Sequence, residues 1–430
     1  MADLTDEDLI AVRRDVHRRA EPAWREFHTT SRIVDAVERI GVDRLAVGPE
    51  AYPASECRGV PSEDELATWR ERAASAGARA DVLDLTAGGE TGAVAVLERG
   101  DGPVVGYRAD IDALFQAEST APNHEPAAEG FASAHPDVMH ACGHDAHVAV
   151  ALGVLAAVKA SEFSGTLKVF FQPAEEPGHG ARAMAASRHL DDVDHLLGIH
   201  VGLDHPHGTV VAGATEILAK ARFEATFSGR PAHAGKAPNE GRDAVQALAA
   251  AVRSLSAIPR HADGMTRINV GTVAGGTEHN VVPAEAHLEG EVRGETTDLV
   301  EWMRSQVRDR LEAAAAMHGC DVRYETVTDA PRADSDPELA ETVYAAARAT
   351  DGVDTPRERG AFGASDDYSH LMRAVQTAGG TATYAIVGTD HPTGHHTATF
   401  DVDEETIPLA VDLVCDAIGR LDQSGRADER

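Results

Sequence analysis

The chain has 430 residues, of which 43% are hydrophobic and only 4% aromatic, so it is long enough for about two domains with cores of small aliphatic side chains. Its 71 acidic and 39 basic residues give a net charge of −32, and only four of the basic residues are lysines, at positions 159, 168, 220 and 236. This balance argues against nucleic acid and anionic membranes as partners, and it indicates a halophilic protein from a salt-rich cytoplasm, where ions screen the repulsion.

The first predicted elements in chain order are helices. Thr5 and Ser62 each open a capping-box pattern, and the helices that follow are predicted to run out near Gly41 and Gly77. Strand-like and helix-like segments then alternate, with strands over 92–99, 103–110, 166–172 and 195–201 and an alanine-rich helix over 145–160. This alternation indicates a layered α/β domain.

From about residue 218 the predicted elements follow the order β-α-β-β-α-β, which is typical of a ferredoxin-like sandwich. The strands are predicted at 217–229, 267–276, 284–294 and 321–327, with helices over 241–257 and 296–317. Beyond residue 330 the α/β pattern resumes, with a helix at 338–349, a strand at 383–388 and a last helix from 404. We therefore predict an α/β catalytic domain with a mixed or parallel sheet (1–217 and 330–430) and an inserted α+β domain (218–329).

The cysteines indicate a reducing compartment. Cys57, Cys142, Cys320 and Cys415 are far apart and show no paired spacing, and the N-terminal segment MADLTDEDLI is neither basic nor apolar. No apolar run approaches the roughly 20 residues that cross a bilayer. We expect a cytoplasmic protein with free thiols and no membrane-spanning segment.

Side chains that bind metals follow the predicted strands of the α/β domain. They are Asp110, Asp112, Glu175, Glu176, His200, His391, His395 and His396, and the segment MHACGHDAH (139–147) adds Cys142 and His144. Because ligands of open α/β sheets bind beyond the carboxyl ends of the strands, these groups are expected to converge there. Thiolate, imidazole and carboxylate together suit a divalent transition metal.

Each of these residues, taken alone, has a simpler interpretation. A lone cysteine is more often a small buried side chain, a histidine at a strand end is usually structural, and adjacent glutamates usually form a solvated turn. The chain also lacks the Cys-x-x-Cys spacing of a structural zinc site and the HExxH pattern of many metalloproteases. The metal-site prediction therefore depends on the coincidence at four strand ends.

Six segments spread over nearly the whole chain carry a family resemblance: MHACGHDAH, FQPAEEPGHGARAM, GIHVG, GRPAHAG, GGTEHNVVPAEAHLEGEVRG and GHHTATFDVDEE. With them the chain resembles the amidohydrolase branch of the M20 metallopeptidase family. The resemblance implies two divalent metal ions, manganese first and zinc as the alternative. It also implies hydrolysis of the amide bond of N-acyl or N-aroyl amino acids. The stretch RRDVHRRAEPAWREF and residues 47–85 narrow the expected substrate to p-aminobenzoyl-glutamate-like compounds.

The resemblance also implies roles for individual residues. The metal ligands would be Cys142, which bridges both ions, His144, Glu176, His200 and His396, with His395 as the reserve for His396. Glu175 would be the general base. Asp112, which we count with the catalytic residues, and Asp145 would orient neighbouring groups rather than bind metal.

The inserted domain is expected to be a lid and dimerisation domain. By the resemblance, His233 would reach the partner's active site and stabilise the oxyanion, while Asn280 and Arg293 would hold the substrate's carboxylate. A plain surface histidine is the simpler interpretation of His233. The expected assembly is a homodimer, or a heteromer with a homologous subunit.

Two other functions stay open at this point. The chain could cleave a different N-acyl amino acid, such as an indole-acetyl, hippurate or acetyl-diamino-acid substrate. It could instead be a regulatory partner subunit of a heteromeric hydrolase, although the presence of Glu175 and all five candidate ligands argues against an inactive chain.

Overall fold

The computed structural model describes residues 4–391 and 393–428. They divide into two compact units. Unit 1 contains the described residues of Met1–Thr215, Asp334–Phe362 and Asp367–Arg430. Unit 2 contains Glu216–Ala333 and Gly363–Asp366.

The first part of unit 1 alternates helices and strands. Its helices are α1 (Asp6–Arg18), α2 (Phe27–Ile40), α3 (Glu63–Ser75), α4 (Ala80–Leu85), α5 (Glu125–Glu129), α6 (His144–Ala160) and α7 (Gly180–Ala185). Its strands are β1 (Arg44–Val47), β2 (Ala93–Glu98), β3 (Val104–Asp110), β4 (Thr166–Gln172), β5 (His195–Val201) and β6 (Thr209–Thr215). The capping box predicted at Thr5 is present, because Thr5 Oγ1 accepts the Asp8 N–H and the Asp8 carboxylate accepts the Thr5 N–H. At the second predicted box, Ser62 Oγ accepts the Glu65 N–H (3.4 Å) at the start of α3.

Unit 2 is a four-stranded antiparallel sheet with two helices. Its elements are β7 (Ala219–Ser228), α8 (Ala244–Ser256), β8 (Thr266–Gly275), β9 (Glu285–Gly294), α9 (Thr297–Met317) and β10 (Asp321–Ala330). The strand order is β10-β7-β9-β8. Alternate residues of β7 and β9, such as Phe223 and Leu288, pack with both helices in one core. The prediction of a ferredoxin-like unit is confirmed.

The chain then returns to unit 1 and completes its sheet. The remaining elements are α10 (Pro337–Ala347), β11 (Thr355–Ala361), α11 (Ser369–Ala378), β12 (Thr381–Val387) and α12 (Thr406–Asp428). The eight strands have the order β1-β2-β4-β3-β5-β12-β6-β11. Strands β4, β3, β5 and β12 run parallel to one another, so their carboxyl ends meet at one edge. The predicted mixed α/β sheet is confirmed, and this edge is where the candidate ligands follow the strands.

One helix prediction was wrong. The helix that begins after Thr5 ends at Arg18, and a second helix, α2, ends at Ile40 with Gly41 as its C-cap. Between them, Pro22 pairs with Ala113 in an isolated bridge, and Trp24 has a left-handed backbone with φ 63°. A proline and a residue with positive φ interrupt the helical hydrogen bonds, which the apolar periodicity did not show.

The state of the cysteines and the length and polarity of the helices bear on two further predictions. All four cysteines are free, as predicted. Within residues 4–391 and 393–428, each helix is too short or too polar to span a bilayer.

A buried carboxylate makes the stability of the fold depend on pH. Glu21 is 2% exposed, and its oxygens accept the backbone N–H groups of His28 (2.8 Å) and Thr29 (2.9 Å) at the start of α2. Burial raises the pKa of Glu21 from 4.5 to about 8, and the nearby Glu26 adds to the shift. Between these two values the folded protein keeps a proton that the unfolded chain releases. The contribution of Glu21 to stability is therefore complete below pH 4.5 and is lost as the pH rises through 8.

We expect Glu21→Gln to flatten the decrease of the free energy of unfolding between about pH 6 and pH 8, because one titrating group contributes up to about 1.4 kcal/mol per pH unit. Denaturant unfolding at several pH values measures this slope. The exposed Glu63→Gln is the matched control for loss of one carboxylate. An unchanged slope in Glu21→Gln would show that Glu21 is ionised in the folded protein.

Candidate metal centre

The turn before α6 places Cys142 at the carboxyl edge of the sheet. Gly143 has φ 89°, and a Cβ there would lie 2.3 Å from Val201 Cγ2, so this position requires glycine. Cys142 is buried, and its Sγ lies 3.5 Å from His200 Nε2. The thiol is therefore fixed next to the end of β5.

Two buried histidines present the same ring nitrogen toward the site. His144 Nδ1 lies 2.9 Å from the backbone oxygen of Asp112, and His200 Nδ1 lies 2.8 Å from that of Val201. A carbonyl oxygen can only accept, so each Nδ1–H donates and each Nε2 is left as the possible metal ligand. Within the described chain, His144 Nε2 is buried without a hydrogen bond. A ring fixed through Nδ1 by a carbonyl is the usual arrangement of a metal-binding histidine.

The two glutamates lie in a tight turn after β4. Asp112 Oδ1 accepts the Glu175 N–H (3.0 Å), and Asp112 Oδ2 accepts the Glu176 N–H (3.1 Å). Glu26 Oε1 accepts the N–H of Ala174 (2.9 Å), whose φ is 53°. Two buried carboxylates therefore fix the backbone of this turn and with it the starting points of both side chains.

Among the described residues, three of the five candidate metal-binding sets together contain all the predicted ligands. They are Cys142, His144 and His200; Cys142, Glu176 and His396; and His144, Glu175 and Glu176. Within each set the candidate ligand atoms lie within 4.8 Å of one another. The sets bring together all five predicted ligands and the predicted base, and Cys142 belongs to two of them. This donor chemistry fits two neighbouring divalent cations that share one thiolate.

The structure distinguishes the two adjacent histidines of the 388–400 loop. His396 Nε2 lies 3.5 Å from Glu176 Oε2, and His396 has a left-handed backbone with φ 60°. His395 Nε2 instead donates to the carbonyl of Val201 (3.2 Å), and its ring packs on Phe400. Geometry therefore favours His396 as the ligand and gives His395 a structural contact.

Burial and neighbouring charges set the protonation of the cluster. Burial and the carboxylate of Glu176 raise the pKa of Cys142 well above its usual value, and burial with neighbouring histidines lowers the pKa of His200 well below its own. Burial opposes protonation of His144, but Asp110 and Cys142 raise its pKa overall. A cation would therefore find a neutral His200 and would displace protons from Cys142 and His144.

The sequence did not indicate a specific role for Asp110, whose carboxylate lies close to His144. Asp110 Oδ1 accepts from His147 Nδ1 (2.5 Å), and Asp110 Oδ2 accepts from Arg108 Nη1 (2.6 Å) and lies 3.6 Å from His144 Nε2. All are fully buried. Residues 108, 110 and 112 alternate along β3 and its continuation, so their period of two was a signal that they share one face. Asp145 lies outside the ligand sets and pairs with Arg13 Nε (2.7 Å).

The three candidates of unit 2 lie on that unit's surface. His233 is exposed and pairs with Val281 in an isolated bridge, and Asn280 O accepts the N–H of Ala234 (3.0 Å), so His233 and Asn280 are neighbours. Arg293 holds Glu291 through two contacts of 2.9 and 3.2 Å. A substrate carboxylate would have to replace Glu291 at this fork. The roles of all three residues stay predictions.

An α/β unit that collects thiol, imidazole and carboxylate groups beside a further glutamate, with a ferredoxin-like unit inserted, is the architecture of a metal-dependent hydrolase. The family model described as peptidase family M20/M25/M40 matches residues 106–420. The chain belongs to this family, and the family prediction is confirmed.

Individual relatives agree with the family assignment. The chain is 41% identical over 411 residues to indole-3-acetyl-aspartic acid hydrolase of Enterobacter agglomerans, covering 95% of this chain and 94% of the relative. It is 38% identical to a p-aminobenzoyl-glutamate hydrolase subunit of Escherichia coli, covering 94% and 93%. The crystal structure of the aminobenzoyl-glutamate utilization protein from Klebsiella pneumoniae is similar with a TM-score of 0.81 and 33% identity, covering 96% and 95%.

We expect His396→Ala to lower metal affinity by more than the roughly 10- to 100-fold that is typical of residues that only orient a ligand. His395→Ala is the matched control and should have a smaller effect, within that range, because His395 belongs to none of the ligand sets and contacts only the Val201 carbonyl that also fixes His200. Titration of the metal-depleted variants with Mn²⁺ and Zn²⁺ measures both constants. The reverse order would place the ligand at position 395.

Proposed function

We propose that this chain is a dinuclear-metal amidohydrolase that cleaves the amide bond between an acyl or aroyl group and an amino acid. The observation that carries the proposal is the pair of ligand sets that share Cys142 next to Glu175. Manganese is the first candidate for both ions and zinc the alternative, since thiolate and imidazole ligands also suit zinc. When bound, the ions would polarise the scissile carbonyl and make a water molecule more acidic.

The residues of the chain would then handle the proton and the charge. Glu175 would accept a proton from the attacking water as its oxygen bonds to the carbonyl carbon, and would deliver that proton to the leaving amide nitrogen as the C–N bond breaks. The products are a free acid and a free amine, and no covalent enzyme intermediate is needed. His233 would donate to the oxyanion, and Asn280 with Arg293 would hold the substrate's carboxylate.

The names of the relatives support a substrate class. One relative is named for indole-3-acetyl-aspartic acid and another for p-aminobenzoyl-glutamate. Both names combine an aromatic acyl group with an acidic amino acid. We propose a p-aminobenzoyl-glutamate-like substrate, with an indole-acetyl, hippurate or acetyl-diamino-acid substrate as the alternative. Hydrolysis of this panel by the metal-loaded protein, with Mn²⁺ or Zn²⁺, tests the function. A protein that binds two metal ions and cleaves none of these amides would contradict it.

A second candidate function is that of a regulatory subunit, because the Escherichia coli relative is named as one subunit of its hydrolase. The complete set of candidate ligands and the adjacent base favour the catalytic function. We propose a homodimer in which unit 2 is the lid and dimerisation domain, with a heteromer as the alternative. Free cysteines and the net charge of −32 support a cytoplasmic, salt-adapted protein.

Substitutions of the two adjacent glutamates should have different effects on activity and metal content. Glu175→Gln should lower kcat roughly 100- to 10,000-fold with metal content unchanged, because it removes the proton acceptor and no ligand. Glu176→Gln should lose metal, since Glu176 belongs to the set with Cys142 and His396. Elemental analysis and steady-state kinetics measure both effects. Loss of metal in Glu175→Gln alone would exchange the two roles.

The role of His233 can be tested together with the assembly. His233→Ala should lower kcat roughly 100- to 1,000-fold without loss of metal. If His233 acts in the partner's site, dimers that combine His233→Ala with Glu175→Gln chains contain one complete site and regain activity. The expected recovery follows the fraction of mixed dimers, measured with differently tagged chains. Mixed dimers without activity would show that His233 does not act across the dimer.

A further inference from the structure

Unit 1 contains a cavity of about 310 Å³ that opens beside the candidate metal centre. Its wall includes Trp24, Leu114, Phe115, Pro177 and Glu176. Glu176 is also a member of the set with Cys142 and His396. The cavity and the candidate metal centre therefore share a residue, so a group held at that centre would lie next to the cavity.

The backbone that holds the metal centre also forms the cavity wall. Residues 113–115 directly follow Asp112, which accepts the N–H groups of both glutamates. Ala113 N–H donates to the carbonyl of Glu21 (2.9 Å), and Leu114 exchanges backbone hydrogen bonds with Met139 (3.0 and 3.1 Å). The wall is thus fixed on both sides, and its position relative to Glu176 is set by the fold.

The part of the cavity wall that contains Trp24 and Gly59 is constrained as well. Trp24 is 1% exposed and has φ 63°, and its Nε1–H donates to the carbonyl of Arg58 (2.8 Å). Gly59 has φ 62°, and a Cβ at this position would lie 2.6 Å from His179 Nε2. Gly59 and His179, which both line the cavity, therefore approach each other as closely as a glycine allows.

Phe115 contributes exposed apolar surface to the wall of the cavity. Its side chain is 65% exposed, and the Arg25 guanidinium carbon lies 5.3 Å from the ring centroid. The guanidinium can occupy one face only, so the rest of the ring is open. An aromatic ligand would pack against it in an offset or edge-to-face geometry.

The charged groups around the cavity determine which part of the substrate, the acyl group or the amino acid, is suited to it. Arg25 already pairs with Glu65 (2.6 Å), and its Nη1 donates to the carbonyl of Ala23 (2.5 Å). Glu176 adds a negative charge to the lining. The acidic amino-acid half is therefore disfavoured, whereas an uncharged ring suits the apolar walls. A cavity of roughly 150 Å³ lined by apolar side chains can hold benzene, so this cavity has room for one ring and its linker.

We infer that this cavity is the binding site for an aromatic acyl group, and that Phe115 selects aromatic over small aliphatic acyl groups. The inference rests on the proposed amidohydrolase function, because the scissile amide must lie at Glu176 for its acyl half to enter the cavity. It adds the residues that recognise the acyl group.

The test compares two substrates with the same amino acid, p-aminobenzoyl-glutamate and acetyl-glutamate, on the metal-loaded protein. Phe115→Ala should lower the ratio of their kcat/KM values roughly 10- to 100-fold, the size expected for one well-packed aromatic side chain. Phe115→Tyr should keep the ratio near the wild-type value, because it retains an aromatic ring. Leu85→Ala, a change at another exposed apolar residue of unit 1, is the control and should leave the ratio unchanged. An unchanged ratio in Phe115→Ala would overturn the inference.

Equilibrium dialysis with p-aminobenzoate separates this inference from the proposed function. If the wild-type protein cleaves neither of these substrates nor any other amide of the panel above, the proposed amidohydrolase function fails. The cavity inference is then decided by binding alone. Weaker binding of p-aminobenzoate by Phe115→Ala than by wild type and Leu85→Ala supports it, whereas no binding to wild type, or equal binding by all three, contradicts it.

Discussion

The hydrogen bonds of Asp112 connect the candidate base with two of the candidate ligands. Its two carboxylate oxygens accept the N–H groups of Glu175 and Glu176, and its backbone oxygen accepts from His144 Nδ1. One residue, two positions beyond the end of β3, therefore positions the candidate base, one candidate carboxylate ligand and one candidate imidazole ligand. The chain continues from Asp112 into the cavity wall, so a shift of this residue would move the ligands and the wall together.

Two buried ion pairs fix the start of α6 from different sides. Arg108 neutralises Asp110, which accepts from His147, and Arg13 neutralises Asp145, which accepts from His17 Nδ1 (2.8 Å). Such pairs contribute little net stability, because removing both charges from water costs about as much as their attraction returns. Their benefit is geometric, since a residue held by a buried, directional contact has few alternative positions. Both pairs flank His144, which begins the helix.

The sequence predicted what depends on periodicity and on the geometry of parallel strands. The strand segments of unit 1 were found because they are short, nearly continuous apolar runs, whereas the strands of unit 2 were found because their apolar residues alternate. The convergence at one edge follows from parallel strands. Strand β11, TPRERGA, was missed because it is a largely exposed edge strand with little apolar pattern. The contact of Arg108 with Gln172 and the cavity around Trp24 join residues far apart in the chain, so no local pattern could reveal them.

The candidate ligands are held by groups that do not themselves bind a cation. His200 is fixed by the carbonyl of Val201, and the turn before Glu175 is fixed by Glu26. The left-handed backbone of His396 is held by its N–H, which donates to Ala141 O (2.8 Å). A non-glycine residue in this region costs about 1–3 kcal/mol, which the surrounding fold must offset. The free-energy cost of ordering the ligands is thus offset when the protein folds. Binding of a cation therefore requires little further rearrangement of the ligands.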